Sequence, residues 1–255
     1  MPNDKKLPAT IPTNSALPRE QPSSLVSRGL AAVQQSLAAP KEEDAETFSL
    51  ARLYLFGDYL DQDLALAERM LLNAANKGNL DSQRELASEY TSGKRLKRNT
   101  TAALHWLMMA EQNSASSKLW DQYQLGNFYQ YYADDAPNYV EAIKWYRKAA
   151  DEGYYRSQES LGRIYEFGKG MPKDYVQAFK WYLLSAANSP TAMPAHKTLR
   201  HRWPLGPGDV LGQKMTAAQR AESRKLARAW MDQFKPRHWG ATDYKRAREG
   251  LERAS

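Results

Sequence analysis

The chain has 255 residues, 42% of them hydrophobic and 25% charged, with a formal net charge of +7 and no cysteine. That composition is the ordinary globular one for one or two domains, and the lack of cysteine excludes disulfides, thiolate metal sites and cysteine nucleophiles. The positive excess is local: residues 1–190 sum to −1 and residues 191–255 to +8.

Behind Lys5 and Lys6 come Pro8, Pro12, Pro18 and Pro22, which break up the run of roughly 7–15 apolar residues that a secretory signal needs. No later stretch approaches the ~18 apolar residues of a membrane-spanning helix, so a cytoplasmic protein is the default expectation. Residues 1–40 read as a flexible leader with an amphipathic helix at about 24–39. There Leu25, Val26, Leu30, Val33 and Leu37 recur at helical spacing ahead of Pro40. Packing on the element that follows is the simpler role for that helix, and docking a partner is the alternative.

From residue 41 to 190 the chain repeats. Leu50-Ala51, Leu86-Ala87, Leu125-Gly126 and Leu161-Gly162 are spaced by 36, 39 and 36 residues, and a tyrosine (Tyr54, Tyr90, Tyr129, Tyr165) follows each leucine by four. Seventeen residues after the leucines stand Ala67, Ala103, Ala142 and Ala178, an offset constant in all four units. The three extra residues therefore fall between units, in the Ser/Asn-rich stretch 112–118. A fixed period of this length is the mark of stacked supersecondary units, here two antiparallel helices each. The small residue after the leucine lets the second helix approach closely. Gly57, Gly93 and Gly168 stand seven residues after the leucine, where helices often end in a left-handed residue. Asp63, Asn99, Asn138 and Asp174 follow at offset thirteen as N-caps, with capping boxes expected at Asn138/Glu141 and Asp174/Gln177. Met70, Trp106, Trp145 and Trp181 are the bulky knobs of the second helices.

The runs at 157–187 and from Gln124-Leu125-Gly126 to Ala149-Ala150-Asp151-Glu152-Gly153 resemble Sel1-like repeats, bacterial and eukaryotic relatives of the tetratricopeptide repeats. The resemblance covers about residues 45–190. It implies an all-α, right-handed superhelical solenoid that holds a partner protein on its concave face and has no chemistry of its own. A degenerate fifth repeat and capping helix are expected at 191–234: Leu199, Trp203 and Gly206 repeat the spacing, Gly206-Pro207-Gly208 reads as an interhelix loop, and Thr216 with Gln219 opens a helix to about Phe234. Residues 235–255 form a basic tail.

The sequence points away from catalysis, cofactors and metals. His105, His196, His201 and His238 make no HExxH arrangement, no GxSxG elbow occurs, and His105 reads as a helix-surface residue. Binding residues follow from the resemblance. In tetratricopeptide repeats the concave face comes from positions two before, two after and five after the leucine. Projected here these include Phe48, Arg52, Arg84, Ser88, Tyr123, Asn127, Gln130, Glu159, Arg163 and Glu166. The third unit departs from the pattern, with Tyr132 in place of the turn glycine and Ala133-Asp134-Asp135-Ala136-Pro137 reshaping its loop. Tyr131, Tyr132, Tyr154 and Tyr155 are candidates for an interface hot spot. The expected function is a non-catalytic adaptor or regulator with a protein partner. An immunity-type inhibitor that sequesters a toxic enzyme is the runner-up, and nucleic-acid binding through the basic C-terminal region is the alternative of a different class.

Overall fold

The computed structural model describes residues 42–133, 136–189, 207–234 and Arg248; among these there are ten helices and no strand. Four helix pairs form the repeats: α1 (Glu42–Phe56) with α2 (Leu64–Asn76), α3 (Leu80–Ser92) with α4 (Thr100–Asn113), α5 (Lys118–Tyr131) with α6 (Tyr139–Asp151), and α7 (Tyr155–Phe167) with α8 (Tyr175–Asn188). Helices α9 (Pro207–Lys214) and α10 (Ala217–Gln233) follow. Each first helix packs on its own second helix and on the second helix of the repeat before it, so the chain is an all-α solenoid. The expected leader, the segment 199–206 and nearly all of the basic tail lie outside the described residues.

Local signals set the helix ends. Gly57, Gly93 and Gly168 adopt positive φ of 73°, 64° and 66°, the left-handed conformation in which glycine carries no Cβ penalty. In the third repeat Tyr132 ends α5 at φ −126° instead. The side chains of Asp63, Asn99, Asn138 and Asp174 each accept from a first-turn N–H. The same four residues donate their backbone N–H to the carbonyls of Tyr54, Tyr90, Tyr129 and Tyr165. That second bond ties each loop to the tyrosine four residues past the leucine, with or without a turn glycine. Both arms of a capping box close at Thr216 and Gln219, whereas Glu141 turns its carboxylate to Lys144.

The small position after each leucine is matched to a specific partner on the second helix, and the match differs between the halves of the stack. A Cβ on Gly126 would lie 2.4 Å from the Tyr146 ring, and one on Gly162 would lie 2.6 Å from the Tyr182 ring. At the same offset in the first two repeats the pairs are Ala51 with Leu71 and Ala87 with Leu107, all buried. Alanine thus faces leucine and glycine faces tyrosine, conserving volume at each crossing.

Buried amides join successive repeats. Gln83 donates to the Ala75 carbonyl of α2 at 3.0 Å and accepts from Asn113 of α4 at 3.2 Å. Gln158 does the same with the Ala150 carbonyl and Asn188, both at 3.0 Å. Gln122 reaches Glu111 of α4 at 2.9 Å. Each glutamine stands three residues before its repeat leucine and satisfies groups that burial between repeats removes from water.

Past the fourth repeat the structure departs from expectation. Where the sequence reads as a loop at Gly206-Pro207-Gly208, helix α9 begins at Pro207; proline suits a first turn because its fixed φ is helical and its missing N–H has no helical partner there. Leu211 of α9 and Met215 just past its end pack with Phe179 and Tyr182 of α8. Arg220 donates to the Gly212 and Met215 carbonyls at 3.0 and 2.5 Å, closing the end of α9. Helix α10 then packs on α8 as each first helix packs on the second helix before it. Its buried row is Ser223, Ala227, Trp230 and Met231, with Trp230 donating to Asp151 at 3.2 Å. Beside this junction Lys180 is buried with Nζ 4.1 Å from the Trp181 ring centroid. Burial and then the Arg147 charge push its pKa down to about 8, against the pull of Asp151.

Candidate functional site

A groove of about 540 Å³ runs between α3 and α5. From α3 it is lined by Arg84, Ala87, Ser88, Thr91 and Ser92; from α5 by Trp120, Tyr123, Gln124, Asn127, Phe128 and Tyr131; Tyr132, Lys94 and Leu107 complete it. Of the expected binding residues, Arg84, Ser88, Tyr123, Asn127, Tyr131 and Tyr132 come together here. Tyr131 and Tyr132 are 61% and 40% exposed and meet edge to face with centroids 6.4 Å apart. Tyr154, in the turn after α6, packs against Tyr123 at 5.5 Å and Tyr155 at 5.9 Å, so these two buttress the groove wall rather than line it.

Arg84 has a different role from the one projected. Its guanidinium grips Asp121 at 2.8 and 2.6 Å and Ser117 at 2.5 Å, and it lies over the Trp120 ring at 5.0 Å. The Asp121 side chain is fully buried and Arg84 is only 20% exposed. Arg84 is therefore a strut between the second and third repeats, and its charge is neutralised on the groove floor. Gln130 must also be corrected: it is buried, with its carboxamide oxygen 3.0 Å from the Tyr146 hydroxyl. It stands behind the groove, out of a partner's reach.

The remaining projected residues lie on neighbouring first helices and are partly engaged with one another. Arg52 approaches Glu85 at 3.7 Å and sits over the Phe48 and Phe56 rings. Arg163 pairs with Glu159 at 2.7 Å, and Glu166 accepts from the Tyr182 hydroxyl at 2.7 Å. The outer row of the surface lies one residue later than projected. Five residues after the leucine come Leu55 and Gln130, both buried, while six after come Tyr131 and Phe167, at 61% and 57% exposure. At about 100° per residue, position five falls only 40° from position one, the small residue that faces the second helix. Phe167 escaped the sequence reading, though helical geometry alone would have indicated it.

The described residues hold no group of three metal-ligating side chains and no helix long and apolar enough to cross a membrane. His105 is exposed, with its ring edge-on to Trp106. On α10, Arg220 is taken up by backbone carbonyls and Lys225 approaches Glu222 at 3.7 Å.

Against known proteins, the chain matches the Sel1 repeat model four times, at residues 47–79, 80–113, 121–154 and 156–190. Among solved structures it is similar to a Sel1 repeat protein from Oxalobacter formigenes, with 18% identity over 92% of this chain and 84% of that one and a TM-score of 0.47. It is also similar to a protective antigen of uropathogenic Escherichia coli strains with an SLR fold, with 20% identity over 87% of this chain and 50% of that one and a TM-score of 0.42. A Pseudomonas aeruginosa protein follows at 16% identity, covering 74% of this chain and 84% of that one, with a TM-score of 0.31. No curated protein matches the sequence.

Proposed function

Because the chain belongs to the Sel1 repeat family, whose members generally mediate protein–protein interactions, we propose that it is a non-catalytic adaptor that seats one partner protein in the groove between α3 and α5. One observation carries the reading. Two adjacent tyrosines, Tyr131 and Tyr132, stand exposed at the rim of an open groove. Tyrosine offers large contact area with few torsions to immobilise, which is why it anchors interfaces. A shallow trench between two helices suits an extended or helical segment of a partner.

Affinity capture of the tagged full chain from its own cells tests this, alongside Tyr131→Ala/Tyr132→Ala and Ser88→Trp, which fills the groove from an exposed position. The expected result is a partner lost in both variants while their melting temperatures hold. Retention of every partner by both variants overturns the reading. A captured enzyme whose activity the chain blocks would recast the adaptor as a sequestering inhibitor. Capture that survives the groove variants but fails in a chain ending near Phe234 would move the contact to the basic tail.

A further inference from the structure

Within the proposed groove the accepting and donating groups are unequally occupied. The side-chain oxygens that can only accept are already filled: the Asn127 oxygen by the Tyr146 hydroxyl at 2.8 Å, the Gln124 oxygen by Asn127 Nδ2 at 3.1 Å and, beneath the groove, both Asp121 oxygens by Arg84. What still faces the opening can donate. The Gln124 amide nitrogen and the hydroxyls of Ser88, Tyr123, Tyr131 and Tyr132 are not hydrogen-bonded to one another, and Lys94 just past α3 has no carboxylate within ion-pair distance among the described residues.

From this imbalance we infer that the groove takes an acidic peptide segment, with a glutamate or aspartate carboxylate reaching Lys94 and the tyrosines flanking its apolar neighbours. The inference rests on the groove reading and specifies its partner. A carboxylate needs several donors to replace the water it loses, and each bond it accepts is charge-assisted and roughly twice as strong as one between neutral groups. A basic segment would be repelled by Lys94 and a purely amide one would offer it only neutral acceptors, while the Asp121 carboxylate beneath the groove is already neutralised. The lysine lies next to a turn that continues with Lys97 and Arg98, the latter donating to the Tyr132 carbonyl at 3.1 Å, so cations and tyrosines share one end of the groove.

The test is a random 12-residue peptide library displayed on phage and selected against the full chain, with binding of the enriched peptides then measured by fluorescence polarisation. The enriched peptides should carry net negative charge. Their affinity should fall by about tenfold or more on Lys94→Glu or on exchanging their Glu and Asp for Gln and Asn. It should hold on Lys94→Arg, weaken steadily with salt, and vanish on Ser88→Trp. Neutral or basic peptides that are lost on Ser88→Trp would overturn the acidic inference and leave the groove standing. No enrichment, or peptides indifferent to Ser88→Trp and to Tyr131→Ala/Tyr132→Ala, would sink both. Circular dichroism melts of each variant separate these outcomes from unfolding.

Discussion

Replacing Gly162 by alanine sets two physical effects of opposite sign against each other. Helix propensity alone favours alanine at an interior helical position by about 0.5–1 kcal/mol. The added methyl, however, would lie 2.6, 2.7 and 3.1 Å from three atoms of the Tyr182 ring, roughly 1 Å inside the ~3.5–4.0 Å optimum for carbon contacts. The ring has little room to retreat: Tyr182 is 5% exposed, packs with Phe179 and Leu211, and is held by its hydroxyl to Glu166. Overpacking of this kind costs about 1–3 kcal/mol, so Gly162→Ala should lower stability by about 0.5–2 kcal/mol net. That corresponds to a melting temperature lower by ~1–8 °C for a chain of this size. The first half of the stack supplies the compensating change, since Ala87 faces Leu107. In a Tyr182→Leu background the same Gly162→Ala change should become neutral or stabilising, and a double-mutant cycle followed by circular dichroism in urea reads the coupling. If Gly162→Ala alone raised the unfolding midpoint by the full propensity gain, the crossing would be looser than described and the size-matching argument would be wrong.

Two further outcomes follow from buried charge. Arg84→Ala leaves Asp121 fully buried without its cation and should cost about 3–5 kcal/mol, while Arg84→Met with Asp121→Leu should recover most of it; equal melting temperatures for wild type and Arg84→Ala would refute the strut. Lys180→Met should melt above wild type at pH 7. The folded-state pKa of Lys180 is lowered from 10.5 to about 8, so below pH 8 it is charged in both states and the cost of burying the charge is fully present. Between those values the folded form releases its proton while the unfolded chain keeps it, and wild-type stability rises with pH. The gap between the two proteins should therefore narrow from pH 8 to pH 10 in thermal melts, and a gap constant from pH 7 to pH 10 would contradict the assignment.

The repeat, its caps and its helix ends were legible because they obey rules that act over a few residues. Asp63, Asn99, Asn138 and Asp174 cap where a capping residue should stand, and three glycines end first helices at positive φ. The groove was legible at positions two before and two after the leucine, which lie opposite the buried face. What escaped the sequence depends on neighbours across the stack. Arg84 reads as a free surface cation until Asp121, 37 residues away, is placed against it. Gln83, Gln122 and Gln158 recur at one offset, yet only packing reveals carbonyls or carboxylates waiting in the repeat before. Helix α9 was hidden because glycine and proline are loop residues in sequence statistics, while the first turn of a helix whose Leu211 packs on α8 tolerates both.

The strut beneath the groove also bears on how a guest would be received. Arg84 and Asp121 clamp α3 to α5, and Ser117 holds the same guanidinium from the intervening loop, so the spacing between the two walls is set before anything enters. Ordering on association then falls mostly on the arriving segment, whose own flexibility becomes the main entropic opposition to capture. A guest stiffened in its bound shape by cyclisation or by proline should accordingly gain more here than one given additional contacts.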